Sequence, residues 1–415
     1  MHFTYATDFK TPTTIPEAIT GAFRLFTERH VTATIWKLSV LGLVVTLGYV
    51  FYMLITEGHA AFNTSSNGVN WGSVIATYVF FALTSSGLTF IASLGTVFGF
   101  EQFLPIAKRA IWLAIVALIS GFAVLALEIG HPFRMLWAMP TGMQYHSPMF
   151  WMGVFYSVDL FLLLLKFYLM WKEDWHSRFS HFVGIAGLVA VILASGMLGL
   201  VFGSMAMRPM WFGFGTSLFF ILTAALSGAA ALILTTHIAF GLRIDAMPKA
   251  LRELVLGSHL PQVFATLIGL TLVFMISRLW VGLWTNLDGM EGFVALLRSP
   301  WFHIEVWLCL ALPFVLLLVP RFQYRPGIQF LTAALVQIGI FIERQVFVIS
   351  GQNVPMFKGT WSAMVTPYTP STTEWMLVGV GLSLMFMLYA LGERLFNLCD
   401  MPEAAALHHR PAMAS

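Results

Sequence analysis

Three ionisable side chains lie close together where a long apolar stretch of the sequence ends. Glu128, His131 and Arg134 fall within the segment E-I-G-H-P-F-R. Histidine exchanges a proton near neutral pH, because its ordinary pKa is about 6.5. Glu128, three residues before His131, is expected on the same helix face. This spacing predicts a polar, proton-exchanging site; the other interpretation is that His131 and Arg134 are surface anchors and that Pro132 ends the helix.

A second pair of charges lies deeper in the next apolar stretch. Asp159 and Lys166 are seven residues apart, which places them on one face of a helix. Counted from Pro148, Asp159 is about 16 Å along that helix at 1.5 Å per residue. The pair predicts either a proton path from the site towards the cytoplasm or a buried ion pair that fixes helix packing.

The composition indicates what surrounds these charges. The 415 residues are 58% hydrophobic and only 10% charged, with a mean hydropathy of +0.82. A water-soluble domain could not bury so much apolar surface, so we predict a polytopic membrane protein. A net charge of +3 gives no indication of nucleic-acid binding, and two cysteines exclude a disulfide framework or a thiolate-bound cluster.

Ten apolar segments are long enough to cross a hydrocarbon core of about 30 Å. All ten should be helices, since lipid leaves no backbone group unpaired without cost. We predict them near 37–55, 74–99, 110–130, 148–171, 179–203, 214–240, 262–284, 303–319, 326–349 and 374–396.

The connections predict the orientation. No short apolar core followed by small residues begins the chain, so we expect no cleaved signal peptide. Most Lys and Arg residues outside the helices lie at the ends that share a side with both termini, which favours cytoplasmic termini. The segment from Glu128 to Trp151 would then face outward.

Short motifs recur and indicate an internal repeat. Phe80–Thr84 (F-F-A-L-T) recurs as Phe219–Thr223 (F-F-I-L-T), and Ser147–Trp151 (S-P-M-F-W) recurs as Ser299–His303 (S-P-W-F-H). We predict an all-α fold of two four-helix bundles, related as a parallel repeat, plus two peripheral helices. The expected units are a cytoplasmic segment 1–36, a peripheral helix and outer loop 37–73, a first bundle 74–203, a second bundle 214–349, an outer loop and last helix 350–396, and a cytoplasmic tail 397–415.

An ordered set of motifs resembles the NrfD/PsrC family, in particular its ten-helix branch, which includes DsrP, HmcC, QrcD and the membrane subunits of alternative complex III. The resemblance covers roughly residues 70–395. It is carried by W-x6-Y at Trp71 and Tyr78, S-G-L at Ser86–Leu88, G-H-P-x-R at Gly130–Arg134 with S-P-M-F-W after it, and P-Y-T-P-S-x-x-E-W at Pro367–Trp375.

The resemblance implies a quinone-interacting membrane subunit of a respiratory oxidoreductase in a bacterial or archaeal cytoplasmic membrane. Menaquinone or ubiquinone would be the bound substrate, with no haem or iron-sulfur cluster in the chain itself. Electrons would pass to a ferredoxin-like iron-sulfur subunit on the outer side, and cytochrome c and further membrane subunits are additional candidate partners.

Quinol oxidation needs a proton acceptor near each ring oxygen and an apolar slot for the tail. We predict catalytic roles for His131, Glu128 and Asp159. The residues predicted to bind the quinone are His131, Arg134, Tyr78 and Trp151. The proton path would use Asp159 and Lys166.

The second predicted bundle carries its own charges near the outer level, namely Arg278, Asp288, His303, Glu305, Glu343 and Arg344. Three interpretations stay open: an extension of the proton path, a second quinone site, or a degenerate copy that holds the partner. We favour the degenerate copy.

Two other classes of protein share some of these features with a quinone-interacting subunit. A di-haem b cytochrome needs histidine pairs that face each other across helices, whereas His131, His181, His237 and His303 each stand alone in their segments. A secondary transporter fits a repeat with buried charges, but such repeats usually contain broken helices, and Pro313 is the one mid-helix proline in the predicted segments.

Overall fold

The computed structural model describes residue 12 and residues 15–64, 68–257, 259–285, 291–353 and 368–402. Within these ranges every regular element is helical. Asp288, Pro367, most of the outer loop before Tyr368 and the tail from residue 403 lie outside them.

Ten helices of the described chain are long and apolar enough to cross a membrane, which confirms the predicted fold class. They are α1 (Val31–Thr56), α2 (Ser73–Thr96), α3 (Leu104–Glu128), α4 (Pro148–Trp171), α5 (Arg178–Gly203), α6 (Gly215–Ala239), α7 (His259–Trp284), α8 (Pro300–Leu318), α9 (Pro326–Asn353) and α10 (Thr372–Leu395). The end of the molecule that holds Glu128 and Pro148 is called the outer end below, after the predicted orientation.

Short helices also lie outside the membrane-length helices, among them Ile15–Arg24, Pro132–Gly142, Lys249–Leu256 and Glu291–Arg298. The sequence predicts a broken loop after His131, whereas the structure has a helix there. Pro132 begins this helix because proline lacks an N–H group that the first helical position does not use. Met143 ends it in the left-handed conformation, with φ of 39°.

Helix α3 begins at Leu104, earlier than the predicted residue 110, because two cations assigned to a connection lie inside it. Arg109 is fully buried, and its Nε donates to Oε1 of Glu393 at 2.8 Å. Lys108 is also buried, with Nζ 3.1 Å from Oδ2 of Asp400. Hydropathy alone places Lys108 and Arg109 outside the helix, because it takes no account of the acids that neutralise them in the fold.

Contacts between the helices form two rings. Each of α2, α3, α4 and α5 packs on its neighbours in the first ring, here called the first bundle. Helices α6 to α9 pack in the same order in the second bundle. Helix α10 packs on α1 and α3, so α10 connects α1 to the first bundle.

The bundles meet where α2 crosses α6. A Cβ atom on Gly87 would lie 1.7 Å from the carbonyl oxygen of Ala224, and one on Gly228 would lie 2.1 Å from the carbonyl carbon of Gly87. The two backbones therefore touch with no side chain between them, as small residues allow in membranes. Beside this crossing, Oγ1 of Thr84 and Oγ of Ser227 share a buried hydrogen bond of 2.7 Å.

Candidate functional site

Buried polar side chains line the interior of the first bundle. Near the outer end, Tyr78 on α2 is 4% exposed and stacks on Phe122 of α3 with ring centroids 6.3 Å apart. Its hydroxyl points to the Sδ atom of Met152 on α4 at 3.9 Å. Side chains of three helices thus pack together here, with one phenolic hydroxyl among apolar groups.

Tyr156 lies one turn deeper on α4 than Met152 and is fully buried. Its hydroxyl and Oγ of Ser86 share a hydrogen bond of 3.4 Å. The sequence analysis did not select Tyr156 or assign a role to Ser86, although Tyr156 precedes Asp159 by three residues, a spacing that puts both on one helix face.

Asp159 is fully buried, and neither of its carboxylate oxygens has a hydrogen-bond partner among the described residues. An unpaired carboxylate in an apolar interior is so costly that such groups take up a proton or hold water. The geometry therefore gives Asp159 the properties of a group that holds a proton.

Lys166 does not pair with Asp159, so the buried ion pair proposed between them is absent. Instead, its Nζ donates to the carbonyl oxygen of Ser180 at 3.0 Å and to the Ser180 hydroxyl at 2.8 Å. Seven residues bring two side chains to one face of a helix but separate them by about 10 Å along it. The nearer partner of Lys166 is Ser180 on α5. The spacing of residues within α4 alone could not predict it.

A group of carboxylates gathers at the outer end between α3 and α10. Glu128 is the last residue of α3, and its Oε2 is buried without a partner in the described part of the chain. Leu127 beside it and Leu377 of α10 share one apolar cluster. The charge of Glu374, three residues before Leu377, acts on Glu128. Two acids thus face each other at this end.

Both carboxylate oxygens of Glu374 accept hydrogen bonds. Its Oε1 accepts from the hydroxyl of Tyr368 at 2.6 Å, and its Oε2 accepts from the backbone N–H of Ser371 at 2.7 Å. Burial, followed by this bond to Glu374, raises the pKa of Tyr368, so its hydroxyl remains a donor. The spacing S-x-x-E is a capping box, which could have identified Glu374 from the sequence.

His131 and Arg134 lie apart from these buried groups. Helix α3 ends at Glu128, and His131 has an extended backbone before the short helix, so Glu128 and His131 do not share a helix face as expected. Both His131 and Arg134 are exposed, and neither makes a side-chain hydrogen bond within the described chain. Trp151 is half-buried nearby, and its Nε1 donates to the carbonyl oxygen of Tyr145 at 2.9 Å.

The second bundle holds its charges together. Arg344 on α9 is fully buried, with its guanidinium 4.6 Å from the ring centroid of Phe220. It donates to the hydroxyl of Thr223 on α6, and its Nη1 lies 2.7 Å from Oε2 of Glu343. This buried cation is therefore neutralised by an adjacent acid and held by the neighbouring helix.

Arg278 and Glu305 lie with Glu343 around a cavity in the outer half of this bundle. The Arg278 guanidinium is 4.7 Å from the ring centroid of Phe347, and its Nη2 donates to the carbonyl oxygen of Met210 at 2.6 Å. His303 is exposed and bonds the carbonyl oxygen of Leu297 at 2.8 Å, outside the cavity. The structure thus brings together four of the six predicted charges, and Asp288 lies outside the described residues.

The described residues contain no group of three or more His, Cys, Asp or Glu side chains arranged to hold a metal ion.

Comparison with known proteins places the chain among membrane proteins of redox complexes. Residues 61–356 match the family described as polysulphide reductase, NrfD. One relative belongs to the selenate reductase of Mesobacillus selenatarsenatis and is 24% identical over 90% of this chain and 96% of its own length. Another is the "Hdr-like menaquinol oxidoreductase integral membrane subunit" of Archaeoglobus fulgidus, 26% identical over 88% of this chain and 93% of its own length. With ten membrane-length helices and a family match over well over half of its residues, the chain is a multi-pass membrane protein that belongs to the polysulphide reductase NrfD family.

Proposed function

We propose that this chain is the quinone-reactive membrane subunit of a respiratory oxidoreductase. It binds menaquinol or ubiquinol at the outer end of the first bundle and exchanges electrons with a partner subunit. The name of the Archaeoglobus relative, a menaquinol oxidoreductase membrane subunit, supports the choice of substrate class. The observation that carries the proposal is the buried Asp159, whose carboxylate has no hydrogen-bond partner among the described residues and which lies deeper on α4 than Met152, the contact of Tyr78.

The residues divide the chemistry between binding and proton transfer. In the proposed site the quinol ring lies beside Tyr78, Phe122 and Met152, with Trp151 towards the outer end. His131 and Arg134, on the exposed segment above, contact the ring oxygens when the head group is bound. In this arrangement the tail stays in the apolar phase while the head group reaches polar atoms.

Oxidation of a quinol releases two protons and two electrons, so two acceptors of protons are required. His131 and Glu128 take the proton released towards the outer surface, and the orphaned Oε2 of Glu128 supports this role. Asp159 takes the other, through Tyr156 and Ser86, whose hydroxyls are already hydrogen-bonded. Lys166 then connects Asp159 towards the cytoplasmic ends of α4 and α5 through water.

The electrons leave to a cofactor on a partner at the outer end. A ferredoxin-like iron-sulfur subunit is the partner that family resemblance favours. Two large apolar side chains of the short outer helix, Phe133 and Trp137, are 81% and 60% exposed. Exposed aromatic residues of this size are typical of surfaces that another protein or the membrane interface covers.

Replacing His131 with alanine tests the outer half of this site. We expect the assembled complex to lose quinol-coupled electron transfer by about 100-fold, because a positioned proton acceptor contributes 10²- to 10⁴-fold. The measurement is quinol oxidation by purified complex, with electron transfer from an artificial donor to the partner as a check on the partner. His146→Ala is the matched control, since His146 is exposed in the same outer segment. Normal turnover in an assembled His131→Ala complex would exclude His131 from the site.

A further inference from the structure

The cavity of the second bundle has the walls of a ring-binding site. Phe219, Phe302 and Phe347 supply aromatic surface, and Arg278, Glu305 and Glu343 form its polar end. The cavity is open on one side, and its space together with the open mouth amounts to about 470 Å³. Its combination of aromatic walls and few polar groups is that of a site for a flat, partly polar ligand.

Glu305 is the polar side chain of the cavity that a ligand is expected to contact. It is 1% exposed, it lines the cavity, and its Oε2 has no hydrogen-bond partner within the described chain. A buried acceptor without a donor is costly. The cations beside it have other neighbours, since Nη2 of Arg278 donates to the carbonyl oxygen of Met210 and Nη1 of Arg344 lies 2.7 Å from Oε2 of Glu343. A hydroxyl donor that enters the cavity would complete the site.

The backbone of α8 presents Glu305 in an unusual way. Residues Ile304–Ala311 form a π-helix, a conformation that is rare and frequently occurs at functional sites. Pro313 lacks the N–H that an α-helix would donate to the carbonyl of Cys309, so the α-helical ladder is interrupted here. The wider turn begins next to Glu305 and sets the direction of its side chain.

We propose that this cavity binds a second quinol head group, whose hydroxyl donates to Glu305 while its ring packs against Phe347 and Phe219. The inference rests on the proposed function for its substrate class. Beyond its polar end the cavity is walled by aromatic side chains, which offer a buried water none of the two to four polar partners that it needs. Charge also favours a neutral ligand, since two acids and two arginines already balance.

Counting binding sites tests this proposal. The probe is 2-heptyl-4-hydroxyquinoline N-oxide, a quinol analogue whose fluorescence is quenched on binding, titrated into the intact complex in nanodiscs. We expect two sites per chain. In Glu305→Gln one site should weaken about tenfold, because a charge-assisted hydrogen bond becomes a neutral one. Tyr78→Phe should weaken the other site, and Glu101→Gln, at an exposed position, should change neither.

Met275→Trp provides a second variant that narrows the cavity without altering its charges, so the test does not depend on the folding of Glu305→Gln. It should also remove one site. A single site that Tyr78→Phe weakens and both cavity variants leave unchanged would overturn the second site but leave the proposed function intact. No saturable binding to the unmodified complex would overturn both.

Discussion

The two bundles differ in the partners of their buried ionisable side chains. In the first, Asp159 has no partner in the described chain and Lys166 is bound to the neutral Ser180. In the second, Glu343 pairs with Arg344 at 2.7 Å, and a further acid and a further arginine lie beside them. The same fold therefore holds an isolated acid inside the first bundle and a cluster of opposite charges inside the second, while Arg109 of the first bundle pairs with Glu393 on the peripheral helix α10.

This difference separates two physical roles. An isolated acid in an apolar interior gains or loses its proton with little change in its neighbours, because none of them depends on its charge. A paired acid is held ionised by its partner, and its removal leaves that partner as an uncompensated buried charge. The first bundle is thus suited to moving protons, and the second to positioning a ligand by fixed charges.

Glu343→Gln should have the largest effect on stability. It leaves Arg344 buried without its counter-charge, which costs roughly 3–5 kcal/mol when one partner of a buried pair is removed. We expect a clear fall in the thermal unfolding temperature of the detergent-solubilised protein. Glu101→Gln, an exposed change of the same chemistry, should leave this temperature unchanged. Equal unfolding temperatures for the two variants would show that Arg344 does not depend on Glu343.

Asp159→Asn should give the opposite pattern. Turnover should fall about 100-fold through loss of a proton acceptor. The unfolding temperature should stay the same or rise, because an unpaired buried acid is replaced by a neutral side chain of the same shape. Quinol oxidation and thermal unfolding of the same preparation measure both quantities. Asp245→Asn, at an exposed site, is the control. Destabilisation with normal turnover would make Asp159 a packing residue.

The smallest effect on stability is expected for Glu28, which lies outside the membrane-spanning helices and forms ion pairs. These pairs serve as a reference for the buried charges of both bundles. Its carboxylate bonds Nε2 of His30 at 2.8 Å and Nη2 of Arg394 at 3.1 Å. Burial raises the pKa of Glu28, but these two partners outweigh burial and lower it overall. The ionised form therefore stabilises the fold above the ordinary pKa of about 4.3, and this contribution is lost as the pH falls through the lowered value.

Glu28→Gln should accordingly reduce the free energy of unfolding by less than about 1 kcal/mol at pH 7, as is usual for partly exposed pairs. The difference should disappear as the pH falls through the lowered pKa of Glu28. Unfolding curves of both proteins between pH 3 and 8 measure it. A difference that does not vary with pH would mean that the carboxylate charge is not what holds Arg394.

Sequence patterns predicted the helices well because each must satisfy its own backbone in lipid, a constraint that acts on one segment at a time. They failed where the decisive partner lies on another helix. Lys108 and Arg109 were assigned to a connection because Glu393 and Asp400 are remote in sequence. Lys166 was matched with Asp159 although Ser180 is nearer.

The candidate site shows the same division. The spacing of the ionisable residues selected Asp159, Glu305, Glu343 and Arg344, all of which the structure buries. It could not select Tyr156 or Tyr368, which are neutral and common at helix ends and interiors. The sequence spacing also placed His131 on the helix of Glu128, because the order of residues does not show that α3 ends before Gly130.

The glycine crossing of α2 and α6 has a mechanical consequence. Where Gly87 meets Gly228 the backbones are in contact, so the bundles cannot move closer, and separating them would open a void in the centre of the protein. Any relative motion of the bundles would therefore pivot about this contact. Its displacement would be smallest at the crossing and largest at the two ends of the helices.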